Sequence, residues 1–406
     1  MKKFLIISSY APPAISGAPL MMRNLLRYFP AHSFAVLTSH AGIDARAKDN
    51  YMWLEAKYFY FDTPALTAAD NRRESRLQRV KALLKKFWLT KFLAELFFLC
   101  FLPISIVRQG RKIIASEKIE LLLAYSDSGP ALFSTYLLHK LTKKPYYLFF
   151  YDLYAGNRLP FLHRALAKVF EPALFRSAKQ IFVMSEALAG HYGKKYGKQT
   201  VVIHNSIPIP QTRPMLKTLN PPFKIIYTGT IYWAQADAVR NLVKAVEEIA
   251  EPQIQLWLYT PHDKKYLNDL AIYESEKVRF ASGLPSEMAE IQGSASVLCV
   301  LLGFNTGHPL LINTSSPGKT YEYMISGRPI LVHAPKESYI AKYAKEHKFA
   351  YVVDSDSIEA LKEGIARLIT DANLAGELIN NAWKTAEANH NDRKTAEKFK
   401  RYFEHE

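Results

Sequence analysis

Cysteine is scarce in this chain of 406 residues, which contains only Cys100 and Cys299. The two lie far apart and match no metal-ligand spacing, so the sequence predicts buried thiols rather than a metal centre or a disulfide framework. The acidic triplet 354–356 (Asp-Ser-Asp) lies near the C-terminal end of the chain and is a weak metal signal. We therefore expect no metal site, and a reducing compartment such as the cytosol.

Long apolar runs are also lacking at the N-terminus. The apolar core there is Phe4–Ile7, four residues long, whereas a signal peptide needs about seven or more. We expect a buried first strand and no export by that route. No repeat of 20–50 residues and no low-complexity run occurs, and 49% of the residues are hydrophobic, so the composition indicates a globular chain of two or three domains.

Acidic residues are outnumbered by basic ones. The chain has 53 Lys and Arg against 37 Asp and Glu, a formal net charge of +16. Eleven basic and two acidic residues fall within 71–112 alone. Such an excess favours an anionic partner: nucleic acid, anionic lipid or a phosphorylated substrate. No nucleic-acid-binding signature accompanies it, so we expect no nucleic-acid partner.

The same basic segment contains the most apolar stretch of the chain, 87–107. It is nearly long enough to span a bilayer, but Lys91, Glu95 and Pro103 interrupt it. Charges near the centre of a spanning helix are costly. Three interpretations remain open: a helix in the interface of an anionic leaflet, a helix buried in the first domain, and a spanning helix. Charge placement favours the first, and predicts a membrane-associating segment at about 71–112.

Two segments predict the start of similar α/β units. An aliphatic run, a loop and a helical stretch follow one another at 3–28 and again at 223–250. Later short apolar runs, among them Leu121–Tyr125, Tyr146–Phe150, Val297–Leu301 and Ile330–His333, alternate with helical stretches, which favours parallel sheets. Five prolines within 207–222 mark a linker. The sequence thus predicts an α/β fold with domains at 1–206 and 223–385.

The most informative stretch is 315–331, which reads SSPGKTYEYMISGRPIL. A Pro-Gly break opens a short helix, and Gly327 followed by Pro329 closes it. Lys319 and Glu322 are three residues apart and share one face of the first turn. A cation and a carboxylate at that spacing suit the phosphates and the ribose hydroxyls of a nucleotide diphosphate. A surface Lys–Glu pair is the alternative for an isolated K-x-x-E.

The whole stretch resembles the nucleotide-binding segment of the retaining GT-B glycosyltransferases of family 4 (group 1), whose pattern P-x-K-x-x-E-Y…G-(K/R)-P it matches. The resemblance implies a GT-B fold: two Rossmann-like, doubly wound parallel-sheet domains that face each other across a cleft. The domain at 1–206 would bind the acceptor and that at 223–385 the nucleotide sugar. A C-terminal helix, 386–406, would pack back on the first domain.

The resemblance also implies site residues. Donor contacts would come from the loop after the first strand (Ser16, Gly17), from the strand-glycine turn (Gly229, Thr230) and from the helix start (Gly318, Lys319, Thr320, Glu322). Thr230 stands where many relatives carry an arginine, which leaves Lys319 as the main cation on the leaving diphosphate. Thr314 stands where relatives often have a first glutamate near the donor sugar.

The resemblance also implies a role for Asp152. This residue lies at a strand end where relatives carry an Asp or His that faces the reaction centre. It would orient or deprotonate the acceptor hydroxyl, and a helix-capping Asp is the alternative. The implied catalytic residues are thus Asp152 and Lys319, with no metal and no cofactor beyond the donor substrate.

The implied activity is a metal-independent retaining hexosyl- or N-acetylhexosaminyltransferase. It would move a sugar, UDP-linked by default, to a glycan or lipid-linked acceptor in surface polysaccharide synthesis. The protein would be cytoplasmic and associated with the anionic inner face of the cytoplasmic membrane. Two alternatives are a sugar-nucleotide epimerase of the same fold and a non-enzymatic basic protein that binds membranes.

Overall fold

A computed structural model of the protein describes residues 1–14, 17–39, 53–61, 88–126, 129–214, 220–251 and 253–404. The chain divides into two compact units, Met1–His204 with Thr395–Glu406, and Asn205–Lys394. Each unit is built on one parallel sheet with helices. Ser16, residues 71–87 of the basic segment, and residues 215–219 of the linker lie outside the described residues.

In the first unit the described strands form a seven-stranded sheet in the order β3-β2-β1-β4-β5-β6-β7. The strands are β1 (Phe4–Ile7), β2 (Phe34–Ser39), β3 (Lys57–Phe61), β4 (Leu121–Tyr125), β5 (Tyr146–Phe150), β6 (Gln180–Val183) and β7 (Val201–Val202). The helices are α1 (Gly17–Leu26), α2 (Trp88–Ser116), α3 (Pro130–Thr142), α4 (Phe161–Ser177), α5 (Glu186–Tyr196) and α14 (Asp392–Glu404).

The central strands β1, β2, β4 and β5 are buried along their whole length. This explains why they read as continuous apolar runs, because a parallel sheet is covered on both faces. The edge strand β3 is mostly half-exposed, and its sequence, KYFYF, is aromatic rather than aliphatic.

The last helix of the chain, α14, completes the core of the first unit. Phe403 is 1% exposed, and its ring centroid lies 4.4 Å from that of Phe4 and 5.3 Å from that of Tyr147. The backbone N–H of Lys2 donates to the carbonyl of Phe403 over 3.0 Å. The sequence predicts a helical stretch from Leu374 to Phe403, and the structure interrupts it at His390–Asn391.

In the second unit the described strands form a six-stranded sheet in the order β10-β9-β8-β11-β12-β13. The strands are β8 (Phe223–Thr228), β9 (Ile254–Tyr259), β10 (Val278–Ala281), β11 (Val297–Leu301), β12 (Ile330–His333) and β13 (Tyr351–Val353). The helices are α6 (Ala236–Glu248), α7 (Lys264–Asp269), α8 (Met288–Gly293), α9 (Pro309–Thr314), α10 (Lys319–Met324), α11 (Tyr339–His347), α12 (Ile358–Thr370) and α13 (Ala372–Asn389).

The crossover order of both sheets, with the first strand of each unit at the centre, is that of a doubly wound α/β fold. In such sheets ligands bind at the carboxyl ends of the strands, where the strand order reverses. In the second unit this point lies between β8 and β11. The loop after β8 is therefore the place to look for a site.

Helix α2 contains the apolar stretch at 87–107 from its second residue onward. It is 29 residues long and contains Pro103. Among the helices of the described residues, none is both long and apolar enough to cross a membrane.

We predict that Phe403→Ala lowers the free energy of unfolding of the first unit by about 3–5 kcal/mol, because it leaves a cavity among aromatic rings. Chemical denaturation followed by tryptophan fluorescence measures the change. Arg401→Ala, an exposed position on the same helix, is the control and should change the free energy by about 0.5 kcal/mol or less. Equal effects of the two substitutions would contradict the packing described for α14.

Candidate functional site

The loop after β8 and the start of α10 meet at the carboxyl edge of the second sheet. Gly229 follows β8 with a φ of 109°, which a residue with a side chain rarely adopts. A Cβ at this position would lie 3.2 Å from Nζ of Lys319. Glycine therefore both permits the turn and leaves room for the ammonium group beside it.

The Lys319 side chain lies over a buried tyrosine. Its Nζ is 3.5 Å from the ring centroid of Tyr227, a cation–π contact, and the Tyr227 hydroxyl donates to the carbonyl of Thr230 over 2.8 Å. Burial lowers the pKa of Lys319 to about 7, against the opposing pull of the Glu322 carboxylate. An ammonium whose charge is so poorly solvated gains most from a bound anion.

Glu322 lies one turn further along α10 and has a neutral partner. Its Oε2 accepts a hydrogen bond from Nε2 of Gln292 over 2.9 Å. Burial raises the pKa of Glu322, while the Gln292 hydrogen bond and the charge of Lys319 oppose that rise. Ionisable side chains with shifted pKa values that gather at a strand edge are typical of functional sites.

Two sets of hydrogen bonds fix the position of α10 and of its partner helix α8. The hydroxyl of Tyr323 lies 2.9 Å from both the backbone N and Oγ1 of Thr228, which ties α10 to the end of β8. Nε of Arg328 donates to the carbonyl of Gly293 over 2.8 Å, next to Gln292. The Gly-Arg-Pro turn thus holds the end of α8 in place, and with it the amide that binds Glu322.

The other predicted donor residues of the second unit lie around this pair. Gly318 leaves room for Asn205, since a Cβ on Gly318 would lie 3.0 Å from Nδ2 of Asn205. Thr230 is exposed at the tip of the turn. Thr320 is fully buried, and its hydroxyl has no hydrogen-bond partner in the part of the chain that is described. A ligand could not reach the Thr320 side chain in this arrangement.

Three predicted residues belong to the first unit. Gly17 is exposed at the start of α1, and a Cβ there would meet nothing within 4 Å. Asp152 follows the end of β5, is half-buried, and has its pKa raised by burial. Ser16 lies outside the described residues. The structure therefore brings together Gly229, Lys319 and Glu322, while Gly17 and Asp152 are in the other unit.

The side chains of Thr314 and of the acidic triplet 354–356 form hydrogen bonds or ion pairs within the second unit. Thr314, where relatives often carry a glutamate, is buried, and its hydroxyl donates within α9 to the carbonyl of Leu310 over 3.0 Å. In the acidic triplet, Asp354 pairs with Lys345 and Asp356 accepts from Asn305. Within the described ranges no group of three or more His, Cys, Asp or Glu side chains is arranged to hold a metal ion.

Sequence reasoning missed the partners that shape the site. Gln292 lies 30 residues before Glu322, and no local spacing signals their contact. Tyr227 is part of the strand-glycine pattern, but a tyrosine in a strand predicts burial rather than a contact with a lysine. Tyr323 follows Glu322 in the motif, and the sequence does not indicate that its hydroxyl reaches β8.

The second unit contains a segment that matches a known protein family. Residues 222–371 match the model of a family described as glycosyl transferases group 1. The segment contains every site residue of the second unit described above except Asn205. The predicted resemblance is therefore confirmed for this segment. None of the curated proteins matches the sequence.

Solved structures resemble the whole chain. Sucrose-phosphate synthase from Thermosynechococcus elongatus is 15% identical, with a TM-score of 0.69 over 100% of this chain and 98% of that one. HepE from Anabaena, in complex with UDP and glucose, is 14% identical, with a TM-score of 0.67 and 100% of both chains covered. A glycosyltransferase from Rickettsia africae is 12% identical, with a TM-score of 0.66 over 99% and 98%. At these identities the likeness shows the fold, and it confirms the predicted GT-B class.

We predict that Lys319→Met raises the melting temperature of the protein at pH 7, because it removes a poorly solvated ammonium from the site. The pKa of Lys319 is about 7 in the folded chain and about 10.4 when unfolded, so protons bind the unfolded state better between these values. Wild type should therefore lose stability relative to the variant as pH falls from 10 to 7.

Scanning calorimetry at pH 7, 8.5 and 10 measures this difference. Lys336→Met, at an exposed position of the same unit, is the control and should show no such pH dependence. A difference between Lys319→Met and wild type that stays constant over this range would contradict the burial of the ammonium.

Proposed function

We propose that the protein is a glycosyltransferase that takes its sugar from a nucleotide diphosphate, with UDP as the nucleotide. The observation that carries the proposal is the Lys319–Glu322 pair beside Gly229, within the segment that matches the group 1 glycosyltransferases. HepE, which shares the fold, was solved with UDP and glucose, and this supports the choice of UDP.

In this proposal the side chains of Lys319 and Glu322 bind the two ends of the nucleoside diphosphate. The ammonium of Lys319 contacts the diphosphate, where negative charge develops as the sugar departs. A cation already fixed at that point stabilises the transition state without needing to reorganise. The Glu322 carboxylate accepts hydrogen bonds from the two ribose hydroxyls, and Gln292 orients it. No metal ion takes part in this scheme.

The transfer proceeds with retention of the anomeric configuration. The departing phosphate helps to deprotonate the acceptor hydroxyl, which attacks from the side that the phosphate leaves. Asp152, whose pKa is raised by burial, orients that hydroxyl in the first unit. The acceptor is a glycan or a lipid-linked sugar of a surface polysaccharide, and the enzyme works at the inner face of the cytoplasmic membrane.

We predict that UDP raises the melting temperature of wild type more than GDP, ADP or CMP does, and that Glu322→Ala abolishes the response. A ligand at one hundred times its Kd stabilises the fold by about 2.7 kcal/mol. The loss of Glu322 removes the ribose contact and leaves Gln292 without its partner. Thermal denaturation with each nucleotide measures the shift.

Two variants serve as controls for this experiment. Glu290→Ala removes an exposed carboxylate from α8, the helix that carries Gln292, and should leave the UDP response unchanged. Glu322→Gln keeps one acceptor oxygen and should retain part of it. If UDP raised the melting temperature of Glu322→Ala as much as that of wild type, the nucleotide would bind elsewhere. Conversion of UDP-sugar to a second UDP-sugar without an acceptor would indicate an epimerase instead.

A further inference from the structure

Helix α2 packs one apolar face against its own unit. Leu102, Ile106 and Ile113 are at most 2% exposed. Gly110 faces α3 so closely that a Cβ would lie 2.6 Å from Cδ1 of Leu138. This face follows the spacing expected of a helix buried on one side, and it accounts for the apolar residues that the core needs.

The opposite face of α2 has three exposed apolar side chains between residues 96 and 104. Leu96 is 43% exposed, Phe101 is 54% exposed and Ile104 is 63% exposed. A surface helix of a water-soluble unit normally presents polar side chains on this side. Neighbouring apolar residues exposed in this way mark a surface that binds something.

The same face becomes basic in its second half. Arg108, Arg111 and Lys112 are exposed. Arg108 lies four residues after Ile104, and Arg111 and Lys112 lie three and four residues after Arg108. None of the three has an ion pair in the part of the chain that is described. The nearby acidic residue on the chain, Glu117, is already paired with Lys3 over 2.9 Å and with Lys57 over 2.8 Å.

A groove of about 540 Å³ lies where the apolar and basic parts meet. Among the described residues its lining combines apolar side chains with the three cations and includes no carboxylate: Pro103, Ile104, Val107, Leu137, Arg108, Arg111 and Lys112. From Phe101 to Lys112 the helix rises about 16 Å. Over that length the exposed face changes from apolar to cationic. A lipid leaflet likewise changes from its apolar acyl region to its anionic phosphates.

We propose that this outer face of α2, the residues Leu96, Phe101, Ile104, Arg108, Arg111 and Lys112, docks the protein on an anionic bilayer. The apolar end enters the acyl boundary, and the cations contact lipid phosphates at the surface. The charge gradient favours a lipid leaflet over a protein partner, because three unpaired cations without any acid suit phosphates. The inference deepens the proposed function by naming the surface through which the enzyme reaches a membrane.

The test is co-sedimentation of the full chain with phosphatidylcholine vesicles, with and without phosphatidylglycerol. Wild type should sediment with the anionic vesicles and stay in solution with the neutral ones. Arg108→Gln/Arg111→Gln/Lys112→Gln should weaken binding by about a hundredfold, since each cation near an anionic surface contributes roughly a factor of five. Phe101→Ser/Ile104→Ser should weaken binding by roughly tenfold or more.

Matched controls use the second unit. Lys265→Gln/Lys336→Gln/Lys384→Gln removes the same charge from exposed positions, and Tyr273→Ser/Leu284→Ser removes exposed apolar side chains of similar number. Both should bind anionic vesicles like wild type. Equal losses in the control and test variants would overturn the proposal and leave only general attraction by net charge.

Two further measurements separate this proposal from its alternatives. Sedimentation velocity without lipid should give the same oligomeric state for wild type and the α2 variants, and a change on substitution would assign the face to self-association instead. UDP-induced thermal stabilisation should be unchanged in the α2 variants. If wild type binds vesicles but shows no nucleotide response, the donor site fails while the docking surface stands.

Discussion

The feature on which the candidate site depends is the ammonium group of Lys319, a half-buried residue. Lys319 lies over the ring of Tyr227, beside a glycine that leaves space for it and one turn before a carboxylate. The fold alone gains little from a lysine in this place, because burial disfavours its charge. A diphosphate would restore the interactions that water supplied. Because a lysine at this position does not favour folding, a phosphate ligand is the best explanation for its presence.

The rest of the second unit holds that arrangement in place. Tyr323 joins α10 to the end of β8, and Arg328 joins the Gly-Arg-Pro turn to the end of α8. Gln292 then meets Glu322 at hydrogen-bond distance. The Tyr323 contact is buried and the other two are partly buried, and together they position the side chains of the site without a ligand. Such preorganisation is what electrostatic catalysis of group transfer requires.

Much of the fold could be predicted from the sequence, because buried parallel strands are continuous apolar runs. The strands β4, β5, β11 and β12 have the predicted bounds. Strand β3 was not predicted: it is a half-exposed edge strand, and its sequence, KYFYF, is aromatic rather than a run of aliphatic residues. The break at His390 was also missed. It depends on contacts with distant residues: one ring nitrogen lies 2.8 Å from the carbonyl oxygen of Asn205, and the other lies 2.9 Å from the hydroxyl of Tyr343.

The residues of the candidate site likewise fall into two groups: those that the sequence predicts and those that only the tertiary structure reveals. The pairing of Lys319 with Glu322 follows from their spacing on a helix, whereas Gln292 and Tyr227 enter through tertiary packing.

The measurement that tests the central claim most directly is a crystal structure of the protein soaked with UDP. We expect the diphosphate within about 3 Å of Nζ of Lys319 and the ribose hydroxyls on the Glu322 carboxylate. A nucleotide bound elsewhere, or one whose phosphates avoid Lys319, would contradict the account.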